Sequence, residues 1–185
     1  MIKCFIDLDG VLVDFYTGLM KHLGINLDVH KDLPKPINHN WCYDFPGYGK
    51  NELFRTITPD FWLNLEWTKE GPEILEAAIR SFGKDNVCIL THPSEHAPTV
   101  MGKMMWMEKH LGGFPYLLGG HKFFCANKRS VLIDDCDDHI RAFRLHLGRG
   151  VLVPRMWNSL HDREVFPHVA QQLAYAKYDS LLYGR

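Results

Sequence analysis

The chain has 185 residues, 46% of them hydrophobic and 23% charged, with a formal net charge of −1. That length suffices for one α/β core with a small accessory segment, and the near-neutral balance argues against a protein that coats nucleic acid or lies on a membrane. No apolar stretch approaches the ~20 residues of a membrane span, and Met1–Phe5 runs straight into a first strand, leaving no room for a signal peptide.

That first strand is a short apolar run, Phe5-Ile6-Asp7-Leu8-Asp9, bounded by Gly10. Tyr16 to Gly24 then reads as a short helix through Leu19, Met20 and Leu23, ended by a glycine. Between Asn26 and about Trp67 the character changes. Prolines 34, 36, 46 and 59 punctuate a segment rich in aromatics, among them Trp41, Tyr43, Phe45, Tyr48, Phe54, Phe61, Trp62 and Trp67. It interrupts the α/β rhythm and is expected to stand over the sheet's carboxyl edge as a small cap. The rhythm resumes where Gly71 and Pro72 open a helix with Ile74, Leu75, Ala78, Ile79 and Phe82 at helical spacing. Val87-Cys88-Ile89-Leu90 is a second buried strand ending at Thr91-His92-Pro93. A Met-rich helix follows over 99–111, its methionines read as core filling. Val131-Leu132-Ile133 is a third strand ending at Asp134-Asp135, and Val151-Leu152-Val153 a fourth. A C-terminal helix carries Val165, Val169, Leu173 and Ala176 on one face. Strands alternating with helices imply a mostly parallel, Rossmann-like sheet with helices on both faces. The expected division is a core of residues 1–14 and 68–185, with residues 15–67 as the small helical cap.

Three strands thus end in polar residues: Asp7 and Asp9, then Thr91, then Asp134 and Asp135, with Lys122 in the connection before the last pair. Ligands of an open parallel sheet bind at those ends. Two carboxylates there can hold Mg²⁺, and one can attack phosphorus. Singly these residues have plain readings: a D-x-D turn, a helix cap at Asp134-Asp135, a solvated surface lysine. Their order along alternating strands favours chemistry over those readings. The five cysteines are scattered, without a C-x-x-C pair, and read as reduced thiols of a cytoplasmic protein. The eleven histidines include no H-E-x-x-H and no Cys/His quartet, so zinc has little support.

The ordered set resembles the haloacid dehalogenase superfamily of phosphatases. Asp7-Leu8-Asp9-Gly10-Val11 stands for the first motif, Thr91 for the second, Lys122 for the third and Asp134-Asp135 for the fourth. Within it, the chain resembles the 5′(3′)-deoxyribonucleotidases, including their bacterial and phage members. The matching stretches are Asp9-Gly10-Val11-Leu12-Val13-Asp14-Phe15, Phe61-Trp62-Leu63-Asn64-Leu65-Glu66, Trp106 to Gly112, and Leu132-Ile133-Asp134-Asp135. The resemblance implies Mg²⁺-dependent hydrolysis of nucleoside monophosphates through an aspartyl-phosphate. Asp7 would be the nucleophile and Asp9 the acid and then base. Asp7, Asp9, Asp134 and Asp135 would supply the metal site, with Thr91, His92 and Lys122 on the phosphate. Phe15, Phe61 and Trp62 would face the base, and Asp44 would shape the pocket.

Two departures stand out. His92 occupies a place where the family more often has a small hydroxyl residue, and Lys122 lies slightly farther from the fourth motif than in mammalian members. Lys128 is therefore a rival for the third motif. Lys122 is preferred because Gly119-Gly120-His121-Lys122 resembles the loop that carries it. Rival functions are a phosphatase of the same superfamily acting on nucleic-acid 3′ ends or a sugar phosphate, and a non-catalytic nucleotide-binding protein. The partner expected is a small-molecule nucleoside monophosphate, with no membrane and no stable nucleic-acid complex. A homodimer is left open.

Overall fold

The computed structural model describes residues 1–26, 50–94 and 96–183. Its centre is a five-stranded, all-parallel sheet in the order β3-β2-β1-β4-β5. The strands are β1 (Lys3–Ile6), β2 (Val87–Thr91), β3 (Tyr116–Leu118), β4 (Ser130–Asp134) and β5 (Arg149–Leu152). The first lies in the middle, with Cys4 in register with Val87 on one side and Val131 on the other. This register brings the carboxyl ends of β1, β2 and β4 together.

Side chains alternate across a strand. Cys4, Ile6, Val87, Ile89, Val131 and Ile133 join the larger core cluster, while Leu90, Leu132 and the half-buried Phe5 join a smaller one with Ile140 and Phe143. Those last two belong to α6 (Asp137–Leu145). The larger cluster is closed by α4 (Gly71–Phe82) through Ile74, Ala77 and Ala78, and by α7 (Val165–Tyr183) through Val169, Leu173 and Ala176. Helix α5 (Ala97–Leu111) contributes Trp106, Met107 and Leu111, whereas Met101, Met104 and Met105 are exposed. Between β1 and α4 the described residues form α1 (Phe15–His22), α2 (Lys50–Thr56) and α3 (Pro59–Leu63).

The sequence foresees four strands. The fifth, β3, has three residues, two of them exposed, and lacks the buried apolar run that betrays the others. The last strand begins at Arg149 and ends at Leu152, before the expected Val153. No helix among the described residues is long and apolar enough to cross a membrane.

Candidate active site

The chain leaves β1 in a tight turn that the rest of the fold grips. Gly10 sits at φ +72°, the left-handed region open to glycine, and a Cβ there would lie 2.1 Å from Asp135 Oδ2. The Thr68 hydroxyl donates to Val11 O at 2.6 Å, and Arg155 Nε donates to Gly10 O at 2.6 Å. Arg155 is itself held by Glu70 at 3.0 Å. Asp14 then caps α1, its Oδ1 accepting from the Thr17 N–H.

This turn delivers Asp7 and Asp9 to the sheet's edge, where each meets a different lysine. Lys122, buried in a short 3₁₀ turn (Lys122–Cys125), places Nζ 2.7 Å from Asp7 Oδ1 and 2.7 Å from Asp134 Oδ2. Lys103, from α5, donates to Asp9 Oδ2 at 2.5 Å, to Thr91 Oγ1 at 3.2 Å and to the His92 carbonyl at 2.8 Å. Lys128 is exposed in the turn before β4, and its carbonyl accepts from Arg149.

Three of these carboxyls live in different fields. Burial raises Asp7 to about 6; Lys122 opposes the rise, and the charges of Asp134 and Asp9 add to it. Burial also acts on Asp134, but Lys122 and His139 outweigh it and hold this carboxyl well below the usual range. Asp134 further accepts from the Cys136 N–H at 2.9 Å and lies 3.2 Å from His139 Nδ1. Asp135 is pushed well up, by burial first and then by Asp134 and Asp7. Its Oδ2 accepts from Trp157 Nε1 at 2.7 Å, and its carbonyl from Asn158 Nδ2 at 2.9 Å.

Solvent reaches the His92 ring, yet partial burial and the charges of Lys103 and Lys122 lower its pKa. The Ser94 N–H donates to His92 Nδ1 at 2.9 Å, so the neutral ring carries its proton on Nε2 and offers it as a donor. Gly120 makes room for that ring, since a Cβ there would come within 3.0 Å of it. Cys136, beside the acidic pair, has its thiol pushed up to about 11 by burial and is a poor nucleophile at neutral pH.

This cluster is a candidate cation site. Asp7, Asp134 and His139 each offer a ligand atom within 4.8 Å of the others, and Asp9 Oδ1 is buried without a hydrogen-bond partner. Two or three carboxylate oxygens suit a small, hard divalent ion, so the donor set fits one.

The aromatic candidates also converge. Phe15 stacks on Trp62 with centroids 5.1 Å apart and planes 14° apart, and Phe61 meets both edge-on. Trp62 is buried with Lys103 Nζ 4.8 Å from its ring centroid, while Phe61 is half-buried. Asp44 lies outside the described residues. The sequence reading did not single out Lys103, His139, Trp157, Asn158 or Arg155, whose partners are long-range contacts that only the fold creates.

The family model for 5′ nucleotidase, deoxy (pyrimidine), cytosolic type C protein matches residues 1–171. The chain belongs to that family. It is thus a phosphatase of the haloacid dehalogenase superfamily, close to the 5′-nucleotidases. No curated protein sequence matches it. Solved structures agree on the fold. A haloacid dehalogenase family hydrolase from Deinococcus radiodurans, with bound phosphate and sodium, is 15% identical with a TM-score of 0.51, covering 100% of this chain and 96% of that one. A haloacid dehalogenase-like hydrolase from Streptococcus pneumoniae is 15% identical with a TM-score of 0.52, covering 100% and 99%. CbbY from Rhodobacter sphaeroides, in complex with phosphate, is 15% identical with a TM-score of 0.50, covering 90% and 91%.

Proposed function

We propose that this phosphatase hydrolyses deoxynucleoside monophosphates in a Mg²⁺-dependent reaction through an aspartyl-phosphate on Asp7. The observation that carries the reading is the buried pairing of Lys122 with both Asp7 and Asp134 at 2.7 Å, beside the separate pairing of Asp9 with Lys103. A phosphate dianion repels an attacking carboxylate, so the site must neutralise charge before attack. Lys122 does this and favours the ionised form of Asp7. The carboxylates of Asp7 and Asp134, with the backbone carbonyl of Asp9, would hold Mg²⁺, which when bound supplies further neutralisation of the phosphoryl oxygens. Asp135, fixed by Trp157, backs the site by abutting Gly10.

In the first step an Asp7 oxygen bonds to phosphorus and the ester P–O bond breaks, its electron pair leaving on the nucleoside oxygen. Asp9 gives that oxygen a proton. In the second step Asp9 takes a proton from water as the water oxygen attacks phosphorus and the Asp7–phosphorus link breaks, releasing phosphate. Thr91, His92 Nε2–H and Lys122 donate hydrogen bonds to the phosphoryl oxygens. Residues 15–67 act as the cap, and Phe15, Phe61, Trp62 and Asp44 shape the base pocket. The family's cytosolic description supports a cytoplasmic location.

The test is phosphate release from 5′- and 3′-nucleoside monophosphates, ribo and deoxy, with sugar phosphates as controls, in Mg²⁺ and in EDTA. Release strongest on deoxynucleotides and lost in EDTA is expected. Release only from sugar phosphates would retain Asp7 and discard the nucleotide. Asp7→Asn, nearly isosteric, should abolish turnover while the fold remains; near-normal activity in that variant would overturn the mechanism.

A further inference from the structure

Lys103 lies outside the strand-end motifs, in the middle of a helix whose neighbours Met101, Met104 and Met105 are exposed. A lysine there would ordinarily reach solvent. Instead its side chain is 3% exposed. Its ammonium has three hydrogens and three close protein acceptors: Asp9 Oδ2, Thr91 Oγ1 and the His92 carbonyl. The ammonium is therefore fully engaged by protein and is not held out for substrate. Its stem is fixed too. Trp62 packs so closely on α5 that a Cβ at Gly102 would come 2.5 Å from Trp62 Cβ, and the same tryptophan ring lies beneath the Lys103 ammonium. The arrangement joins the end of β1, the end of β2, α3 and α5 at one point.

The consequence falls on Asp9. A carboxyl group turns easily about its last bond. With Oδ2 clamped by Lys103, the other oxygen has one direction left, and that oxygen, Oδ1, is buried with no hydrogen-bond partner. We infer that Lys103 is a positioning residue: by holding Oδ2 it fixes the orientation in which the Asp9 carboxyl meets the leaving oxygen. The inference rests on the acid–base role proposed for Asp9 and goes beyond it by naming what orients the carboxyl.

The test compares two phosphate esters on the Mg²⁺-loaded enzyme. A deoxynucleoside 5′-monophosphate releases an alkoxide that needs a proton, whereas p-nitrophenyl phosphate releases a phenolate that departs without one. In Lys103→Met, kcat/KM for the nucleotide should fall about 100-fold, the range of a positioned acid, and that for p-nitrophenyl phosphate less than about 5-fold. Lys103→Gln keeps an amide that can donate to Oδ2 and should recover part of the nucleotide loss, which a variant harmed only in folding would not do. Equal losses on both esters, tracking the fall in melting temperature of each variant, would overturn the inference and leave the Asp7 mechanism standing. No loss on either ester would overturn it as well. A wild-type protein inactive on both esters would sink the mechanism and the inference together.

Discussion

Replacing Lys122 by Met removes one ammonium from between two buried carboxylates, 2.7 Å from each. Breaking a buried pair by deleting one partner costs about 3–5 kcal/mol, because the surviving charge is left uncompensated. Here the loss should depend on pH. Asp7 already titrates at about 6, above an unfolded carboxyl, so the stability tied to its neutral form is complete below about pH 4 and lost as pH rises through 6. Without Lys122 that ceiling moves higher and the loss grows. Asp134 is held low by Lys122, so its contribution exists above about pH 4 and vanishes towards acid. Both effects therefore make the variant's deficit largest at high pH. Proton uptake limits the deficit, because a carboxyl left without its cation takes up a proton readily at pH 5 and at growing cost towards pH 8. The expected ΔΔG is about 3–5 kcal/mol at pH 8 and smaller at pH 5. At about 2–4 °C per kcal/mol, the pH 8 value corresponds to roughly 6–20 °C in Tm. Urea denaturation of wild type and Lys122→Met in EDTA at pH 5, 6.5 and 8 measures it directly. A ΔΔG under about 1 kcal/mol at pH 8, or one flat with pH, would refute the reasoning.

Two further outcomes follow from the same geometry. Gly10→Ala forces a side chain into the left-handed region at φ +72° and to within 2.1 Å of a buried Asp135 oxygen. The backbone cost of about 1–2 kcal/mol and an overpacking cost of about 1–3 should together take about 2–5 kcal/mol from stability, and thermal melts showing a change under 0.5 would contradict the clash. The acid limb of kcat/KM should report ionisation of Asp7, near or below pH 6 in wild type. Since Lys122 lowers Asp7, its replacement by Met should move that limb upward, and a limb that stays put or moves down would separate it from Asp7.

The sequence was most legible where local pattern and chemistry coincide. Asp7, Asp9, Thr91, Asp134 and Asp135 could be placed because each follows a buried apolar run, and parallel strands present their carboxyl ends together. Lys122 was legible through the loop that carries it. Lys103 was not, because a lone lysine on a helix ordinarily reaches solvent; the packing of Trp62 against Gly102 shows where it points. Trp157 and Asn158 reach Asp135 across 22 and 23 residues, a contact no periodicity encodes. Phe15, Phe61 and Trp62 were legible as candidate aromatics, but their contacts with one another were not.

The D-x-D pair poses a physical problem that the two lysines answer. Residues two apart leave an extended segment on the same side, so Asp7 and Asp9 emerge close together with like charges, and Asp9 raises Asp7. One shared cation would tie the proposed nucleophile and the proposed proton donor to the same point. The fold instead brings Lys122 from the connection before β4 to Asp7 and Lys103 from α5 to Asp9. Each carboxylate is thereby neutralised from its own side, and Asp135 meets its burial by rising towards the neutral form rather than claiming a third cation. Two aspartates with the same chemistry, adjacent in a motif, can then take different parts in one reaction because each is held by a different element of the fold.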